Sequence, residues 1–113
     1  MHVATEYYES RGYKVTDTSA NHPYDLVATR GSERLFVEVK GTQSAGESVF
    51  VTRNEVDHAR RHARDSVLFV VHGIKVEGQG EEVQAHGGEV VVEFPWDPAD
   101  HDLSPVQYEY RRT

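Results

Sequence analysis

The chain has 113 residues, of which 37% are hydrophobic and 27% are charged, with no cysteine and a formal net charge of −7. This length accommodates one domain with a modest core, and the lack of cysteine excludes disulfides and thiolate metal sites. No apolar run approaches the roughly 20 residues that a membrane span needs, and the N-terminus lacks the apolar stretch of a signal peptide. We therefore expect one cytoplasmic domain over residues 1–113.

The acidic excess lies in the last third of the chain. Residues 1–76 carry ten acidic and ten basic side chains, whereas residues 77–113 carry nine acidic side chains and only Arg111 and Arg112. The charge pattern divides the domain into a core over 1–76 and an acidic extension over 77–113. Net acidity argues against nonspecific affinity for nucleic acid, but it leaves room for a local basic surface.

The first half of the chain is predicted to hold one helix and several strands. The helix extends over residues 3–12 and ends at Gly12. Alternating or apolar runs predict strands over 13–17, 24–30, 34–41 and 48–52.

A second helix is predicted over residues 52–63, because Thr52 and Glu55 have the spacing of a capping box. Beyond it, strands are predicted over 65–76, 89–95 and 106–111, with a polar glycine-rich loop over 77–88. The strand over 65–76 is the most apolar and is expected to be central. The order α-β-β-β-β-α-β with a β-rich tail predicts a mixed α/β, or α+β, sheet covered by helices.

The third predicted strand ends with an unusual pair of charged residues. Because side chains alternate along a strand, Phe36, Glu38 and Lys40 share one face. A two-residue type II′ turn at Gly31-Ser32 would give paired residue numbers that sum to 63, which places Asp25 opposite Glu38. Directly opposed residues have Cβ atoms about 4.5–5.5 Å apart, so these two carboxylates would repel each other.

A divalent cation would relieve this repulsion, since Mg²⁺ is commonly held by one or two carboxylates. Lys40, on the same face, could then orient an attacking water and offset charge that builds on a phosphate. The structural alternative is that Asp25 is a turn residue and that Glu38 and Lys40 lie on the exposed face of an edge strand. A longer turn would also change the pairing.

The segments "HPYDL" and "VEVKGT" resemble the PD-(D/E)XK nuclease superfamily, which has the restriction-endonuclease-like fold with an α-β-β-β-α-β core. Together with "TRNEVDHARRH", "VLFVV" and "LSPVQYEY", they resemble more closely the NO VEIN C-terminal domain family over nearly the whole chain. The resemblance implies that Asp25 and Glu38 bind a metal, that Val39 contributes its backbone carbonyl and that Lys40 is the catalytic lysine. It also implies a glutamate from the first helix, for which Glu6 is preferred to Glu9.

The function that this resemblance implies is hydrolysis of phosphodiester bonds in nucleic acid, with DNA as the expected substrate and Mg²⁺ or Mn²⁺ as the cofactor. A restriction, defence or repair system is the expected setting. A homodimer is compatible with cutting both strands of a duplex, as is attachment to other domains, and no membrane partner is expected. The alternatives are an inactive nuclease-fold module that binds protein or nucleic acid, and a structural β-rich protein suited to high salt.

Several other polar residues are candidate nucleic-acid contacts, namely Gln43, Arg53, Arg60, Arg61 and Arg64. A solvated loop amide is the alternative for Gln43, and a solvated helix face is the alternative for the arginines. Glu55 is interpreted as the capping-box residue.

The remaining histidines and aromatic residues are assigned to structure. His58 and His62 have i,i+4 spacing but lack an acidic third ligand, which disfavours a zinc site. Tyr7 and Tyr8 are expected in the core or in a dimer contact. Trp96 is expected to pack the C-terminal segment onto the sheet.

Overall fold

A computed structural model describes residues 2–78 and 84–112 of the chain. Within these residues there are two α-helices, α1 (His2–Glu9) and α2 (Arg53–Arg61). The strands are β1 (Lys14–Asp17), β2 (Leu26–Arg30), β3 (Glu33–Gly41), β4 (Ser66–His72), β5 (Lys75–Glu77), β6 (Gln84–His86) and β7 (Glu89–Glu93). Short 3₁₀ turns are present at Ala63–Asp65 and Asp100–Asp102.

Five of these strands form one mixed sheet in the order β1-β2-β3-β4-β7. The β3–β4 pair is parallel and the other pairs are antiparallel, while β5 and β6 form a separate antiparallel pair. The predicted α+β class is therefore confirmed, and the first part of the chain has the order α-β-β-β-α-β that the resemblance implied. The most apolar strand, β4, lies inside the sheet between β3 and β7, and β3 is the middle strand of the order.

The predicted hairpin between β2 and β3 has the expected register. Arg30 pairs with Glu33 and Leu26 pairs with Val37, so paired residue numbers sum to 63. Gly31 has a φ of 60°, whereas Ser32 does not have a positive φ. This combination belongs to a type II′ turn, which needs glycine at its first central position.

The two faces of the sheet carry separate apolar clusters. On one face, Ala4 and Tyr8 of α1 pack against alternate residues of the strands, among them Leu26, Leu35, Val37 and Phe69. On the other face, Ala59 of α2 packs with Leu68, Val70 and Trp96. Trp96 also donates its backbone N–H to the carbonyl of Ser66 at 2.9 Å. The predictions that Tyr8 lies in the core and that Trp96 packs the C-terminal segment onto the sheet are confirmed.

Two predicted strands are wrong. Residues 48–52 are not a strand, because β3 and β4 pair directly and leave no edge between them for this segment. Val49 and Val51 instead pack against the cluster on the α2 face. Residues 106–111 are not a strand either, since they have no strand partner in the described part of the chain.

The polar loop predicted over 77–88 contains the short strand β6, and its residues 79–83 lie outside the described part of the chain. The predicted strand over 65–76 is divided into β4 and β5 at Gly73, which has a φ of 66°. Neither α1 nor α2 is long and apolar enough to cross a membrane.

Candidate functional site

The end of β3 brings its polar residues to the face that α2 covers. Glu38 and Lys40 pair with Leu68 and Val70 of the parallel strand β4, which belong to the apolar cluster on that face. Partner residues on neighbouring strands point to the same side of a sheet. The predicted placement of Glu38 and Lys40 on one face therefore holds.

Asp25 lies directly before β2 and is tied to the same part of β3. Its backbone N–H donates to the carbonyl of Val37 at 2.9 Å. Its carboxylate oxygen Oδ2 accepts a hydrogen bond from the backbone N–H of Val39 at 2.8 Å. These two bonds fix the Asp25 carboxylate beside the segment that carries Glu38 and Lys40.

The carboxyl group of Glu38 is buried, with the residue only 4% exposed. Its Oε2 atom has no hydrogen-bond partner among the described residues. Burial, followed by the neighbouring carboxyl groups of Glu55 and Asp25, raises the pKa of Glu38 to about 9. A buried carboxyl group with an unsatisfied oxygen is costly to the fold unless something else binds it.

Lys40 joins the carboxylates of the site. Its Nζ atom donates to Oε1 and Oε2 of Glu55 at 3.1 and 3.3 Å and lies 3.4 Å from Oε1 of Glu38. Burial by itself would lower the pKa of Lys40, but the hydrogen bond to Glu55 and the charge of Glu38 outweigh it and raise this pKa. Lys40 is therefore a protonated ammonium held between two acidic residues.

Glu55 belongs to this site, although the sequence indicated only its structural role. The capping box is present as predicted: Thr52 N–H donates to Glu55 Oε1 at 2.7 Å, and Glu55 N–H donates to Thr52 Oγ1 at 3.1 Å. Burial opposes ionisation of Glu55, but hydrogen bonds from Thr52, Glu38 and Lys40 outweigh it and lower the pKa of Glu55. The "VEVKG" and "TRNE" segments both belong to the family resemblance, but their contact depends on how α2 packs, which spacing alone does not give.

An aromatic cluster lies on the same face as the site. His58 of α2 packs against Phe36 and Tyr24, with ring centroids 4.9 and 4.5 Å apart, and against His62 at 4.5 Å. Burial, together with the nearby His62, Arg61 and His22, lowers the pKa of His58 to about 4. His58 is therefore uncharged at neutral pH and acts as an apolar ring in this cluster.

A polar groove of about 780 Å³ opens between the β1–β2 loop and the N-terminal part of α2. Its lining includes Asn21 and His22 from the loop and Asn54, Glu55 and Arg61 from the helix. Glu55, which contacts Lys40, is the residue that this groove shares with the charged cluster, whereas Asp25, Glu38 and Lys40 do not line it.

The other predicted site residues lie elsewhere. Glu6 pairs with His2 at 2.9 Å, with its side chain 67% exposed, and α1 covers the opposite face of the sheet. The structure therefore does not bring Glu6 to Asp25, Glu38 and Lys40. Gln43 is exposed in the loop after β3.

The predicted basic residues divide into two groups. Arg60 donates to the carbonyl of Pro98 at 2.6 Å and to Asp100 at 2.9 Å, so it holds the C-terminal segment. Arg61 lines the polar groove, and Arg64 is exposed in the following 3₁₀ turn. Arg53 is exposed and lies 4.0 Å from Asp57.

The donor atoms fit a hard divalent cation. Asp25 and Glu38 supply carboxylate oxygens, and Oε2 of Glu38 has no hydrogen-bond partner among the described residues. Within 2–78 and 84–112, no group of three or more His, Asp or Glu side chains is arranged to hold a metal. Mg²⁺ does not need such a group, because it usually keeps several waters and takes one or two carboxylates.

The chain matches the family model described as Protein NO VEIN, C-terminal, over residues 1–85. The match includes the whole segment from α1 to β4 and therefore Asp25, Glu38, Lys40 and Glu55. It ends before "LSPVQYEY", so that part of the resemblance noted in the sequence lies outside it. No curated protein sequence matches the chain. With three quarters of its length in this match, the chain belongs to the NO VEIN C-terminal domain family.

Proposed function

We propose that the chain is a metal-dependent nuclease of the PD-(D/E)XK type that hydrolyses phosphodiester bonds in nucleic acid, with DNA as the preferred substrate. The observation that carries this proposal is the buried Glu38 carboxyl group, whose Oε2 atom lacks a partner and which lies close to Asp25 and Lys40. A purely structural sheet has no need of such a group, since an apolar residue there would be more favourable.

Asp25, Glu38 and the backbone carbonyl of Val39 are the proposed metal ligands. When bound there, Mg²⁺ or Mn²⁺ would supply Lewis acidity toward a phosphate oxygen and make water a stronger nucleophile at neutral pH. Glu38 must give up its proton to act as a ligand. Metal binding is therefore expected to strengthen as the pH rises toward the raised pKa of Glu38.

Lys40 is the proposed catalytic lysine. An ammonium carries three donors, and the contacts with Glu55 and Glu38 fix the direction in which Lys40 points. Placed beside the scissile phosphate, Lys40 would donate a hydrogen bond to the attacking water and stabilise negative charge on the phosphoryl oxygens. Glu55 is the proposed positioning residue, because it accepts from Lys40 through both carboxylate oxygens.

The polar groove is the proposed approach of the substrate, because Glu55 belongs both to it and to the charged cluster. Arg61, His22 and Asn54 line it, and these side chains suit hydrogen bonds to phosphate oxygens or base edges. The proposed path therefore passes between the β1–β2 loop and α2.

Cleavage assays with Mn²⁺ test the proposal directly. Supercoiled plasmid DNA, single-stranded DNA and RNA are each incubated with the full chain, with Lys40→Ala and with Lys14→Ala. Lys14 is exposed on β1 and serves as the matched control for loss of a lysine. We expect cleavage of at least the DNA substrates by the full chain and by Lys14→Ala, and loss of cleavage in Lys40→Ala with the fold intact.

Equal cleavage by Lys40→Ala and by the full chain would contradict the mechanism. Calorimetric titration of Mn²⁺ into the full chain and into Glu38→Gln distinguishes an active nuclease from the alternative of an inactive module. If Mn²⁺ binds and Glu38→Gln abolishes that binding, yet no nucleic acid is cleaved, the site is a metal-binding module without nuclease activity. If Mn²⁺ does not bind at all, the proposed metal site is wrong.

A further inference from the structure

The C-terminal segment has the pattern of a strand but lacks a partner within the described residues. Val106, Tyr108 and Tyr110 alternate with polar residues and are 72%, 82% and 87% exposed. The last hydrogen bond along the described chain is donated by Leu103 N–H to the carbonyl of Asp100. Three large apolar side chains at period two are typical of one buried face of a strand.

A groove lined by both apolar and acidic side chains lies over β4 and β7 on the α2 face of the sheet. Its volume is about 750 Å³, and its apolar lining includes Leu68, Val70, Val91 and Trp96. The same groove is lined by four acidic residues, Glu47, Glu93, Asp97 and Asp102, and by no basic residue of the described chain. We refer to it as the β7 groove.

β7 offers an open edge next to this groove. It is the last strand of the sheet order, so one side of it pairs with β4 and the other side is free in the described part of the chain. Val91 pairs with Val70, which faces α2, so Val91 points to the same side and is 48% exposed. An added strand at this edge would extend the apolar face that begins with Val70 and Val91.

The segment and the groove are complementary. The segment carries alternating Val106, Tyr108 and Tyr110 and then Arg111 and Arg112, which are the only basic residues after residue 76. The β7 groove supplies apolar side chains and four acidic ones, and β7 beside it has a strand edge that is free in the described part of the chain. Apolar contact, backbone pairing and charge therefore favour the same association.

We propose that residues 106–111 of one copy of the chain add as a strand along β7 of a second copy, and that the exchange is reciprocal in a two-fold dimer. Leu103 lines the β7 groove, so the segment of each copy starts at the rim of the groove that receives the other. This arrangement suits a two-fold axis close to that rim.

The surface available is adequate for a dimer. A buried aromatic side chain contributes about 150–250 Å², so the four tyrosines of two exchanged segments would bury about 600–1,000 Å². Counting Val106 and the covered groove surface of each copy brings the total into the range of specific interfaces, about 1,200–2,000 Å². None of these residues belongs to the Asp25–Glu38–Lys40 site, so the dimer is independent of the proposed nuclease activity.

The first test is molar mass in solution, measured by light scattering after gel filtration. The full chain is expected at twice its monomer mass of 12.8 kDa. The double substitution Tyr108→Ser with Tyr110→Ser is expected to weaken dimerisation at least about tenfold, because it removes the aromatic anchors. Val3→Ser is the matched control, since Val3 is 41% exposed on α1, away from the groove.

The second test identifies the copy that receives the segment. Because the chain has no cysteine, Gln107→Cys provides a single site for a nitroxide label. Spin-labelled chain without ¹⁵N is mixed with unlabelled ¹⁵N chain, and line broadening is expected at the amides of Val90, Val91 and Val92. A monomeric mass would overturn the proposal. So would broadening that is absent from the mixed sample and present only when the nitroxide and ¹⁵N are in the same chain, because the segment would then return to its own groove.

Discussion

At Glu38, the proposed chemistry and the stability of the fold have opposite requirements. The residue is 4% exposed, and burial raises its pKa from 4.5 to about 9. The folded chain therefore keeps a proton on Glu38 that the unfolded chain releases. Because the unfolded state binds fewer protons between these two pKa values, the free energy of unfolding is expected to fall as the pH rises through this window.

Substituting Glu38→Gln should stabilise the fold at alkaline pH in the absence of divalent ions. Glutamine keeps the shape and hydrogen-bonding capacity of the protonated acid but cannot ionise, so the variant avoids the cost of a buried carboxylate. At about pH 8 we expect its free energy of unfolding to exceed that of the unsubstituted chain by about 1–3 kcal/mol. Urea unfolding at about pH 5 and about pH 8 measures this difference, which should be small at the lower pH.

The exposed Glu9→Gln, at the end of α1, is the control for loss of one carboxylate. Mn²⁺ should raise the melting temperature of the unsubstituted chain and of Glu9→Gln, but not that of Glu38→Gln, because only a bound metal stabilises by mass action. A Glu38→Gln chain that is less stable than the unsubstituted chain at about pH 8 would contradict the assigned pKa shift.

At the scale of elements, the start of α2 and the end of β3 are joined through one carboxylate. Oε1 of Glu55 accepts a hydrogen bond from Thr52 N–H, which closes the capping box, and another from Lys40 Nζ. The helix start therefore sets the position of Lys40, and a change at Glu55 should affect both the helix and the proposed reaction. These two effects can be separated by the choice of substitution.

Glu55→Gln should lower activity with little loss of stability, whereas Glu55→Ala should reduce both. Glutamine retains an oxygen for Thr52 N–H but loses the charge that holds Lys40. We expect about a 10- to 100-fold loss of cleavage rate in both variants, as for other supporting residues around metal sites. Only the alanine variant should also lose about 0.5–2 kcal/mol of stability, as capping substitutions do.

Urea unfolding and cleavage rates, each measured on the two variants, provide the comparison. The loss of cleavage activity should fall mainly on kcat, because the proposed substrate contacts of the other groove residues remain. Full activity in Glu55→Gln would mean that Glu55 serves the helix alone.

Part of this arrangement was predictable from the sequence because it is local. The Gly31-Ser32 turn fixes the register of β2 and β3 from Leu26–Val37 to Arg30–Glu33, and Asp25 lies directly before this ladder, where its N–H bonds to the carbonyl of Val37. Thr52 and Glu55 mark the start of α2 in the same way. Each of these features depends on residues close in sequence, where turn and capping chemistry decide the conformation.

What the sequence did not predict depends on packing between distant segments. Residues 48–52 have a strand pattern, but β3 and β4 pair with each other and exclude them from the sheet. The contact of Glu55 with Lys40 requires α2 to lie over the end of β3. Alternation and capping signals cannot reveal either fact, because they say nothing about which elements become neighbours.

At the scale of the whole molecule, charge is distributed unevenly between the two parts of the chain. The net charge is −7, and residues 77–113 account for all of the excess. A polyanion is therefore repelled by most of the extension and attracted only where basic side chains are exposed. Of the four candidate arginines, Arg53, Arg61 and Arg64 meet this condition, whereas Arg60 is held by Pro98 and Asp100.

The arginines of α2 and of the turn that follows should therefore differ in their effect on nucleic-acid binding. Measured in a Lys40→Ala background to prevent cleavage, Arg61→Ala and Arg64→Ala should each weaken binding of DNA. Each should also reduce the slope of log affinity against log salt by about 0.7–0.9, the loss of one phosphate contact. Arg60→Ala should leave this slope unchanged.

Arg60→Ala should act instead on the C-terminal segment, because it removes the hydrogen bonds to Pro98 and Asp100, worth about 0.5–1.5 kcal/mol each. Trp96 is the only tryptophan of the chain and is 8% exposed, so its fluorescence reports on this segment. We expect a red shift of the emission in Arg60→Ala and none in Arg61→Ala. If Arg60→Ala instead lowered the slope of log affinity against log salt and left the Trp96 emission unchanged, Arg60 would be a nucleic-acid contact. Its assignment to the C-terminal segment would then be wrong.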